Sequence, residues 1–593
     1  MKIARKIFQP GTRGNALLMT LIFVGVALLL LGSVMEWSNS NARQTERNNL
    51  FGMSTAAAEA ATENVIAKMT YDFFHAGFVG NPTNYYMTNS INQIPVTTAW
   101  PVGFAYSNPF NSNAPTYVSI LPVNWTTNWT TLFSSNYTGL HAYLANCTVI
   151  STATTTNQPY TVSATVQETF QLASIPIYQD MAFYEMNMEV DPGQTMTLNG
   201  PVFCNQNIWT RGPVSYSSTV SAVGSVSSNS TDPWLATKTD ATAPAFAQNP
   251  ITGADTLAMP IGQTNDPTAI RALLGDSPTG TSPYSTTGQV YFVNRAAMII
   301  SNSSSGTISA FLQDSNNSLS PMTFIPYDVT KYTTNGAIIT TNKSYSFATT
   351  NTFYDYREGK NVAAVQLNVG ALNTWITGTN GSTLNTQLYN DTGRYIDSVY
   401  VDNNAPYTSS SLPAVRVANG TVLPSHGLTV VTPSPLYVLG NYNANGVSLN
   451  NGTNVSNTMP AALMGDSITA LSSNWSDTWN SSTPLASRNP APTTINAATF
   501  EGIVPTVGAN YSGGLENFIR LLENWNSANL TYNGSIVVMF PSQFATNKWI
   551  TPGTYYSAPT RKWAFNLNFM QQNGLPPLTP MVTAICRQTW SVY

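Results

Sequence analysis

The longest run of hydrophobic positions in this chain lies close to its start. No charged residue occurs between Arg13 and Glu36, and residues 15–35 are mostly Leu, Val, Ile, Met, Phe and Ala. A helix that crosses the hydrocarbon core of a bilayer needs about 20 mostly apolar residues. The run therefore predicts a membrane-spanning helix.

The helical pattern continues beyond this run but becomes amphipathic. Residues 36–75 contain no Pro and a single Gly, Gly52. Apolar side chains recur there at spacings of four and seven, which place them on one helix face. They are Leu50, Ala57, Ala61, Val65, Met69 and Phe73. One long helix is therefore predicted over about residues 15–75.

The apolar run has three interpretations. A cleaved signal peptide has an apolar core of about 7–15 residues and a small-x-small site, and this run is longer and lacks Ala-x-Ala. An ordinary membrane anchor fits, because the basic residues before the run would stay on the inner side. A prepilin-like leader of residues 1–14 also fits, with cleavage between Gly14 and Asn15.

The start of the chain resembles the PilX-type minor pilins and pilin-like proteins of type IV filaments. The matching features are Arg13-Gly14, the apolar run, and Ala-Ala-Glu-Ala-Ala at 57–61. The resemblance implies processing at Gly14 and Asn15, a single pass through a bacterial inner membrane, and a body in the periplasm or at the cell surface. It implies other pilins or pilus assembly proteins as partners of the helix. Met19 stands where major pilins carry Glu, as in tip-type minor members.

The C-terminal third resembles large pilus-assembly-associated proteins with a PilX-like N-terminus. The matching segments are 436–443, 513–518 and 530–540, and 199–202 is an earlier match. The resemblance implies a structural role in the envelope and supplies no catalytic residue.

Beyond the helix the chain is expected to be mainly β. Segments such as 117–123 and 160–172 alternate between apolar and polar residues, as half-buried strands do. We expect a small β region at 76–176 packed on the helix. A large β-rich unit is expected at 177–593, with a long, partly irregular insertion at about 230–430. Strand-like segments are expected within that insertion at 289–293, 297–301 and 362–369.

A spacing of twelve residues appears within the large unit. Gly200-Pro201-Val202 and Gly212-Pro213-Val214 are followed by Gly224-Ser225-Val226. Short strands at a fixed interval favour a β-solenoid, and an antiparallel meander explains them almost as well. Two helices are predicted: a short one at 268–274 with Asp266 as N-cap and Pro267 first, and an amphipathic one at 513–525.

The composition indicates an exported, folded protein. Only 8% of the 593 residues are charged, whereas 11% are aromatic and 42% are hydrophobic, which argues against disorder. After residue 75 the chain carries 16 basic and 22 acidic residues, a charge of about −6. Because no basic stripe is present, nucleic acid is a poor partner.

Candidate chemistry is sparse. Asp355 and Glu358 could form a carboxylate pair for work on a glycan, but a solvated strand end is the favoured interpretation, as it is for Asp391 and Asp397. No metal-ligand spacing and no cofactor-binding motif occurs, so no metal or cofactor is expected. The three histidines, His75, His141 and His426, have no partner at a metal-ligand spacing.

Cysteine and tryptophan positions add two minor expectations. Cys147, Cys204 and Cys586 are expected to be buried small hydrophobes, with Cys147–Cys204 as the pair if a disulfide forms. Trp125 with Trp129, and Trp475 with Trp479, could bind sugar rings, but core packing is favoured.

The sequence therefore predicts a non-enzymatic, pilin-like assembly protein whose helix contacts lipid and other pilins. The first alternative is a membrane-anchored adhesin that binds a surface glycan or protein. The second is a β-helical enzyme acting on polysaccharide.

Overall fold

The protein is described by a computed structural model. The described residues are 15–77, 82–85, 103–110, 114–133, 137–228, 242–263, 265–315, 319–321, 347–377, 383–445, 457–508, 511–526, 528–549 and 554–593. The fold is mainly β with a long N-terminal helix, as the sequence predicts.

The helix Asn15–Ala76 runs without a break for 62 residues. The short predicted helix is confirmed as Pro267–Ala272, with Asp266 accepting hydrogen bonds from the backbone N–H groups of Thr268 and Ala269 at 2.9 and 3.0 Å. Two further helices, Val369–Thr377 and Thr383–Thr392, come one after the other behind the strand Lys360–Asn368 and were not predicted.

The second half of the N-terminal helix packs on an antiparallel sheet of six strands, here called the N-terminal sheet. Its strands are Phe104–Ser107, Thr116–Leu121, Trp129–Thr131, His141–Thr155, Ser163–Pro176 and Met581–Val592. The first five fall in the small β region expected before residue 176. Met581–Val592 comes from the far end of the chain and pairs with Ser163–Pro176, although the sequence placed it in the large unit.

The large unit is built mainly from parallel strands. A twelve-stranded sheet contains, in spatial order, Ile251–Thr252, Val220–Ala222, Val202–Cys204, Ala182–Tyr184, Ile536–Pro541, Ala498–Ile503, Ala461–Gly465, Leu428–Val431, Ser398–Asn403, Met298–Asn302, Ile308–Gln313 and Leu319–Pro321. Only the pairings made by Ile308–Gln313 are antiparallel in this sheet, among the described residues.

Four smaller sheets complete the described part of the unit. A six-stranded sheet contains Ala348–Asp355, Lys360–Asn368, Ser411–Ala418, Leu436–Leu439, Ile468–Leu471 and Arg520–Leu521. Three three-stranded parallel sheets contain Val226–Ser227, Ile208–Thr210 and Met188–Val190; Ala245–Phe246, Val214–Tyr216 and Met196–Leu198; and Thr493–Asn496, Asn529–Gly534 and Thr560–Phe565.

Short strands between residues 196 and 227 follow one another at a regular interval. Five of them begin at Met196, Val202, Ile208, Val214 and Val220, six residues apart, and consecutive strands join different sheets. Val202 pairs with Val220, eighteen residues further on, and Met196 pairs with Val214 at the same offset. The twelve-residue spacing seen in the sequence therefore marks every second strand rather than one stacked repeat.

Two local predictions are wrong. Residues 513–525 form a 3-10 turn, Leu515–Asn517, and the strand Arg520–Leu521 instead of an amphipathic helix. The strand pairs with Ile468–Leu471, and a buried ion pair holds Arg520, so tertiary contacts override the helical periodicity. The expected strand at 289–293 forms two 3-10 turns, Gly288–Val290 and Phe292–Asn294.

Strands also occur in the range expected to hold an insertion. The strand-like segments at 297–301 and 362–369 are confirmed as the strands Met298–Asn302 and Lys360–Asn368, and each lies within one of the two largest sheets of the unit.

Candidate functional site

The first half of the N-terminal helix is exposed, and near its end the guanidinium of Arg47 lies 4.5 Å from the ring centroid of Tyr160. Every residue from Asn15 to Asn49 is exposed, and Leu50 is the first buried one. At 1.5 Å per residue this free part extends about 50 Å. Its exposed large apolar side chains are Leu17, Leu18, Met19, Leu21, Ile22, Phe23, Val24, Val26, Leu28, Leu29, Leu30, Leu31, Val34, Met35 and Trp37. This helix is long and apolar enough to cross a membrane.

Such a surface is unusual for a protein in water, because soluble proteins rarely expose contiguous apolar area of this extent. Small residues lie among the bulky ones on this surface. A Cβ atom added at Gly25 or Gly32 would meet no other atom within 4 Å. Ala27 lies between them and is exposed as well. The surface therefore suits a lipid or an apolar helix as its neighbour.

The second half of the helix is held by the apolar stripe predicted from its spacing. All six positions are buried, and Ala57, Ala61, Met69 and Phe73 have no exposed surface. Phe73 meets Trp125 edge to face, with ring centroids 5.8 Å apart. The Ala residues allow the helix backbone to lie close to the sheet.

A polar cluster joins the helix to two strands of the N-terminal sheet. Thr62 donates a hydrogen bond to the carboxylate of Glu168, and Arg587 contacts both Glu168, at 3.1 Å, and Glu63, at 2.7 Å. The pKa values of the two carboxyl groups shift in opposite directions. The hydrogen bond from Arg587 lowers the pKa of the half-exposed Glu63, whereas burial raises the pKa of Glu168. Residues of this cluster were not singled out from the sequence, because its members lie on three separate segments.

The predicted processing site falls at the boundary of the structure. Gly14 lies outside the described residues, whereas Asn15 is the first residue of the long helix and is exposed.

The candidate carboxylates are buried rather than solvated, so that prediction is wrong. Asp355 accepts hydrogen bonds from the hydroxyl of Tyr437 at 2.6 Å and from the backbone N–H groups of Arg357 and Glu358 at 2.7 and 2.8 Å. Glu358 pairs with Arg520. Burial, followed by the charge of Glu358, raises the pKa of Asp355.

This geometry ties the two carboxylates to the turn that ends the strand Ala348–Asp355. Each is occupied by protein donors, and their exposed fractions are only 1% and 4%. Asp391 lies in the helix Thr383–Thr392, and Asp397 is half-buried, accepting a hydrogen bond from the hydroxyl of Ser398 at 2.8 Å.

The three histidines have separate surroundings. His75 bonds the backbone oxygen of Tyr71, His141 stacks on Trp129, and His426 stacks on Tyr395. Within the described ranges, no group of three or more His, Cys, Asp or Glu is placed to hold a metal ion.

All three cysteines are free and buried, as the favoured interpretation predicts. The suggested Cys147–Cys204 disulfide is wrong, because Cys147 lies in the N-terminal sheet and Cys204 in the twelve-stranded sheet. Burial raises the pKa of both thiols to about 12.

Two of the four tryptophans considered for sugar binding are core residues. Trp125 and Trp475 are buried, with 5% and 8% exposed. Trp129 and Trp479 are half-buried, and Trp479 packs edge to face on Trp475. Core packing is therefore confirmed for Trp125 and Trp475.

The fold thus defines a mainly β protein with a long N-terminal helix whose first half is a candidate membrane span. No family model and no curated protein sequence matches this chain. Among solved structures, it is similar to the competence-associated pilin ComZ from Thermus thermophilus, with 9% identity, over 92% of this chain and 97% of that chain, at a TM-score of 0.28. A similarity this weak carries no argument about function.

Proposed function

We propose that this chain is a pilin-like structural protein of a type IV pilus or a related envelope assembly, anchored by its N-terminal helix. The observation that carries the proposal is the division of that helix at Leu50. An exposed apolar half continues, without interruption, into a half that is packed on a sheet. Such a helix serves as tether and as packing element at once.

The proposed orientation follows from charge. Lys2, Arg5, Lys6 and Arg13 precede the apolar run, and basic residues flanking a membrane span remain on the cytoplasmic side. The β-rich body then lies in the periplasm or at the cell surface of a bacterium, and the helix crosses the inner membrane once.

Within a filament or its base, the exposed apolar half would pack against the helices of other pilins. Gly25 and Gly32 leave room for close approach. Met19, in place of the Glu of major pilins, supports a PilX-type, tip-located role.

The proposed role is assembly rather than catalysis. Asp355 and Glu358 bond to Tyr437, Arg520 and backbone N–H groups, so they are used to hold the fold. No cofactor is included in the proposal.

N-terminal sequencing of the protein isolated from its native membranes tests the pilin assignment. A mature chain that starts at Asn15 supports processing after Gly14. A retained Met1 would refute the prepilin assignment and favour the alternative of an ordinary anchored adhesin. A Gly14→Leu variant should then accumulate unprocessed protein.

Membrane anchoring is tested separately with a matched pair of exposed helix variants. Leu29→Asp places a charge in the middle of the apolar run and should impair insertion, since a central Asp costs about 3 kcal/mol on insertion scales. Ser40→Asp places the same charge beyond the run and should leave the protein in the carbonate-resistant membrane fraction. Equal membrane retention of both variants would contradict anchoring.

For the large unit we propose a β-solenoid arrangement, in which the short parallel strands stack as rungs of eighteen residues. The offset between Val202 and Val220 supports it. Thr197 pairs with Ser215 at the same offset, so the double variant Thr197→Cys, Ser215→Cys should form a disulfide on oxidation. Thr197→Cys with Ser221→Cys is the control, because Ser221 pairs in another sheet. Crosslinking of the control alone would overturn the arrangement.

A further inference from the structure

A cavity of about 440 Å³ opens where the N-terminal helix, the N-terminal sheet and the large unit meet. Gly77 contributes from the end of the helix, Ser174 and Met581 from the sheet, and Leu273 and Arg295 from the large unit. Cavities of about 300–1,000 Å³ are the usual size of small-molecule sites. The cavity is therefore large enough for a ligand rather than for water alone.

The floor of the cavity is apolar. Met259, Ile261, Leu273 and Phe292 line it, and all four are buried. Tyr284 lines it from an exposed position, with 61% of its surface accessible. Such a wall favours the apolar body of a ligand, since burying apolar surface is worth about 25 cal/mol per Å².

Arg295 is the charged residue in this lining, and its guanidinium has no hydrogen bond or ion pair to any part of the chain that the structure describes. Burial, together with the nearby Arg394, lowers the pKa of Arg295. Several buried arginines have partners in the protein: Arg416 pairs with Asp477, Arg520 pairs with Glu358, and Arg488 donates to the backbone oxygens of Leu522 and Tyr555.

Arg295 is half-buried, so its guanidinium is partly withdrawn from water without a counter-charge, and an anion that enters the cavity would relieve that penalty. One guanidinium matches one carboxylate through two parallel N–H···O bonds. A single ligand could place its carboxylate at Arg295 and its apolar body on the floor of the cavity. It would then contact both kinds of surface.

We propose that this cavity binds a small organic carboxylate with an apolar body, with Arg295 as the residue that recognises the carboxylate. The proposal concerns a site outside the exposed half of the helix and does not depend on filament assembly. It assigns the ligand by chemical class.

The test uses the full chain in lipid nanodiscs and measures the binding of 4-phenylbutyrate by calorimetry. Its matched amide, 4-phenylbutanamide, keeps the apolar body and removes the charge. We expect the carboxylate to bind at least about tenfold more tightly than the amide, a factor that corresponds to about 1.4 kcal/mol. Equal binding of the two probes, or no binding of either at millimolar concentration, would overturn the proposal.

Variants then test the assignment to Arg295. In Arg295→Gln, the carboxylate should bind no more than about twofold more tightly than the amide. Arg295→Lys should retain part of the preference for the carboxylate, because the positive charge remains. Arg43→Gln, on the free half of the helix, is the control and should change nothing. Val290→Trp should block both probes by filling the cavity. Retention of the full preference in Arg295→Gln would refute the assignment.

A final probe separates carboxylate from phosphate recognition. The phosphate monoester of 4-phenylbutanol carries the same apolar body with a larger anion. Weaker binding than 4-phenylbutyrate supports a carboxylate site, and tighter binding would contradict it.

Discussion

Arg587, on the strand Met581–Val592, pairs with Glu63 on the N-terminal helix, across 524 positions of sequence. The same guanidinium reaches Glu168 on the neighbouring strand. One side chain thus joins the helix to both of the last two strands of the N-terminal sheet.

We predict that Arg587→Gln lowers the free energy of unfolding by about 0.2–1 kcal/mol, the range for a largely exposed ion pair. Arg587 and Glu63 are 58% and 41% exposed, so solvent screens the interaction. Urea unfolding at low and at high salt measures it, and the loss should shrink at 1 M salt, where charges are screened within about 3 Å. An equal loss at both salt concentrations would show that the contribution is not electrostatic.

Docking of the helix should depend on Phe73. Phe73→Ala removes a fully buried ring and its contact with Trp125, and should lower the free energy of unfolding by about 3–5 kcal/mol. Phe51→Ala, on the same helix, is the matched control and should cost less than about 0.5 kcal/mol, because Phe51 is 40% exposed. Hydrogen exchange of the helix amides between residues 57 and 73 measures the loss of docking. Equal protection of these amides in both variants would contradict the prediction.

Buried carboxyl groups should make the protein more stable in mild acid. Burial raises the pKa of Glu185 from 4.5 to about 7, although the amide of Asn205 donates to it at 2.6 Å. A carboxyl with a raised folded-state pKa stabilises the fold below its unfolded pKa, and this contribution is lost as pH rises through the folded-state value. Stability should therefore fall between about pH 4.5 and pH 7.

The isosteric variant Glu185→Gln measures the share of this one group. It should reduce the slope of unfolding free energy against pH in that window, by at most about 1.4 kcal/mol per pH unit. Glu36→Gln, on the exposed half of the helix, is the control and should leave the slope unchanged. An unchanged slope in Glu185→Gln would contradict the raised pKa.

The buried Glu358–Arg520 pair should show strong coupling. Glu358→Gln leaves the guanidinium of Arg520 without its partner, and removal of one member of a buried pair costs about 3–5 kcal/mol. The double variant Glu358→Gln, Arg520→Met should lose less than Glu358→Gln alone, because no unpaired cation is left. Chemical unfolding of four proteins checks this, namely the wild type, Glu358→Gln, Arg520→Met and the double variant, and simple additivity of the two single losses would argue against a paired role.

Gly427 allows two neighbouring strands to begin side by side. It has a φ of +85°, and a Cβ there would lie 2.1 Å from the backbone oxygen of Pro460. Gly427→Ala should cost about 2–4 kcal/mol, from left-handed strain and from the clash. Gly253 has a φ of +71° and open space around it, so Gly253→Ala should cost only about 1 kcal/mol. Similar melting temperatures for both variants would show that the neighbouring strand can move away.

The spacing of apolar residues was sufficient to predict the N-terminal helix, but it was not sufficient to predict the strands of the large unit. The stripe from Leu50 to Phe73 needed only the spacing of apolar residues, and every member is buried. The same kind of spacing at 513–525 predicted a helix wrongly, since the backbone there joins a parallel sheet through Arg520 and Leu521. Helical spacing and buried strands both produce apolar runs, and only partners distant in sequence decide between them.

The candidate sites also differ in how much of each could be predicted from the sequence. Asp355 and Glu358 were recognised as a pair, yet their burial depends on Tyr437 and Arg520, which lie far away in sequence. Arg295 gave no signal in the sequence, because an unpaired guanidinium is defined by what surrounds it in space.

The position of the strand Met581–Val592 has a consequence for biogenesis. Thr589 bonds Thr169, which leaves the ribosome 420 residues earlier. Under the proposed membrane anchoring, the apolar start of the chain would be engaged with the translocation machinery long before the sheet beneath its helix can be completed. Until residues 581–592 have been synthesised, this edge of Ser163–Pro176 remains open, so the nascent protein offers a chaperone a defined strand to protect.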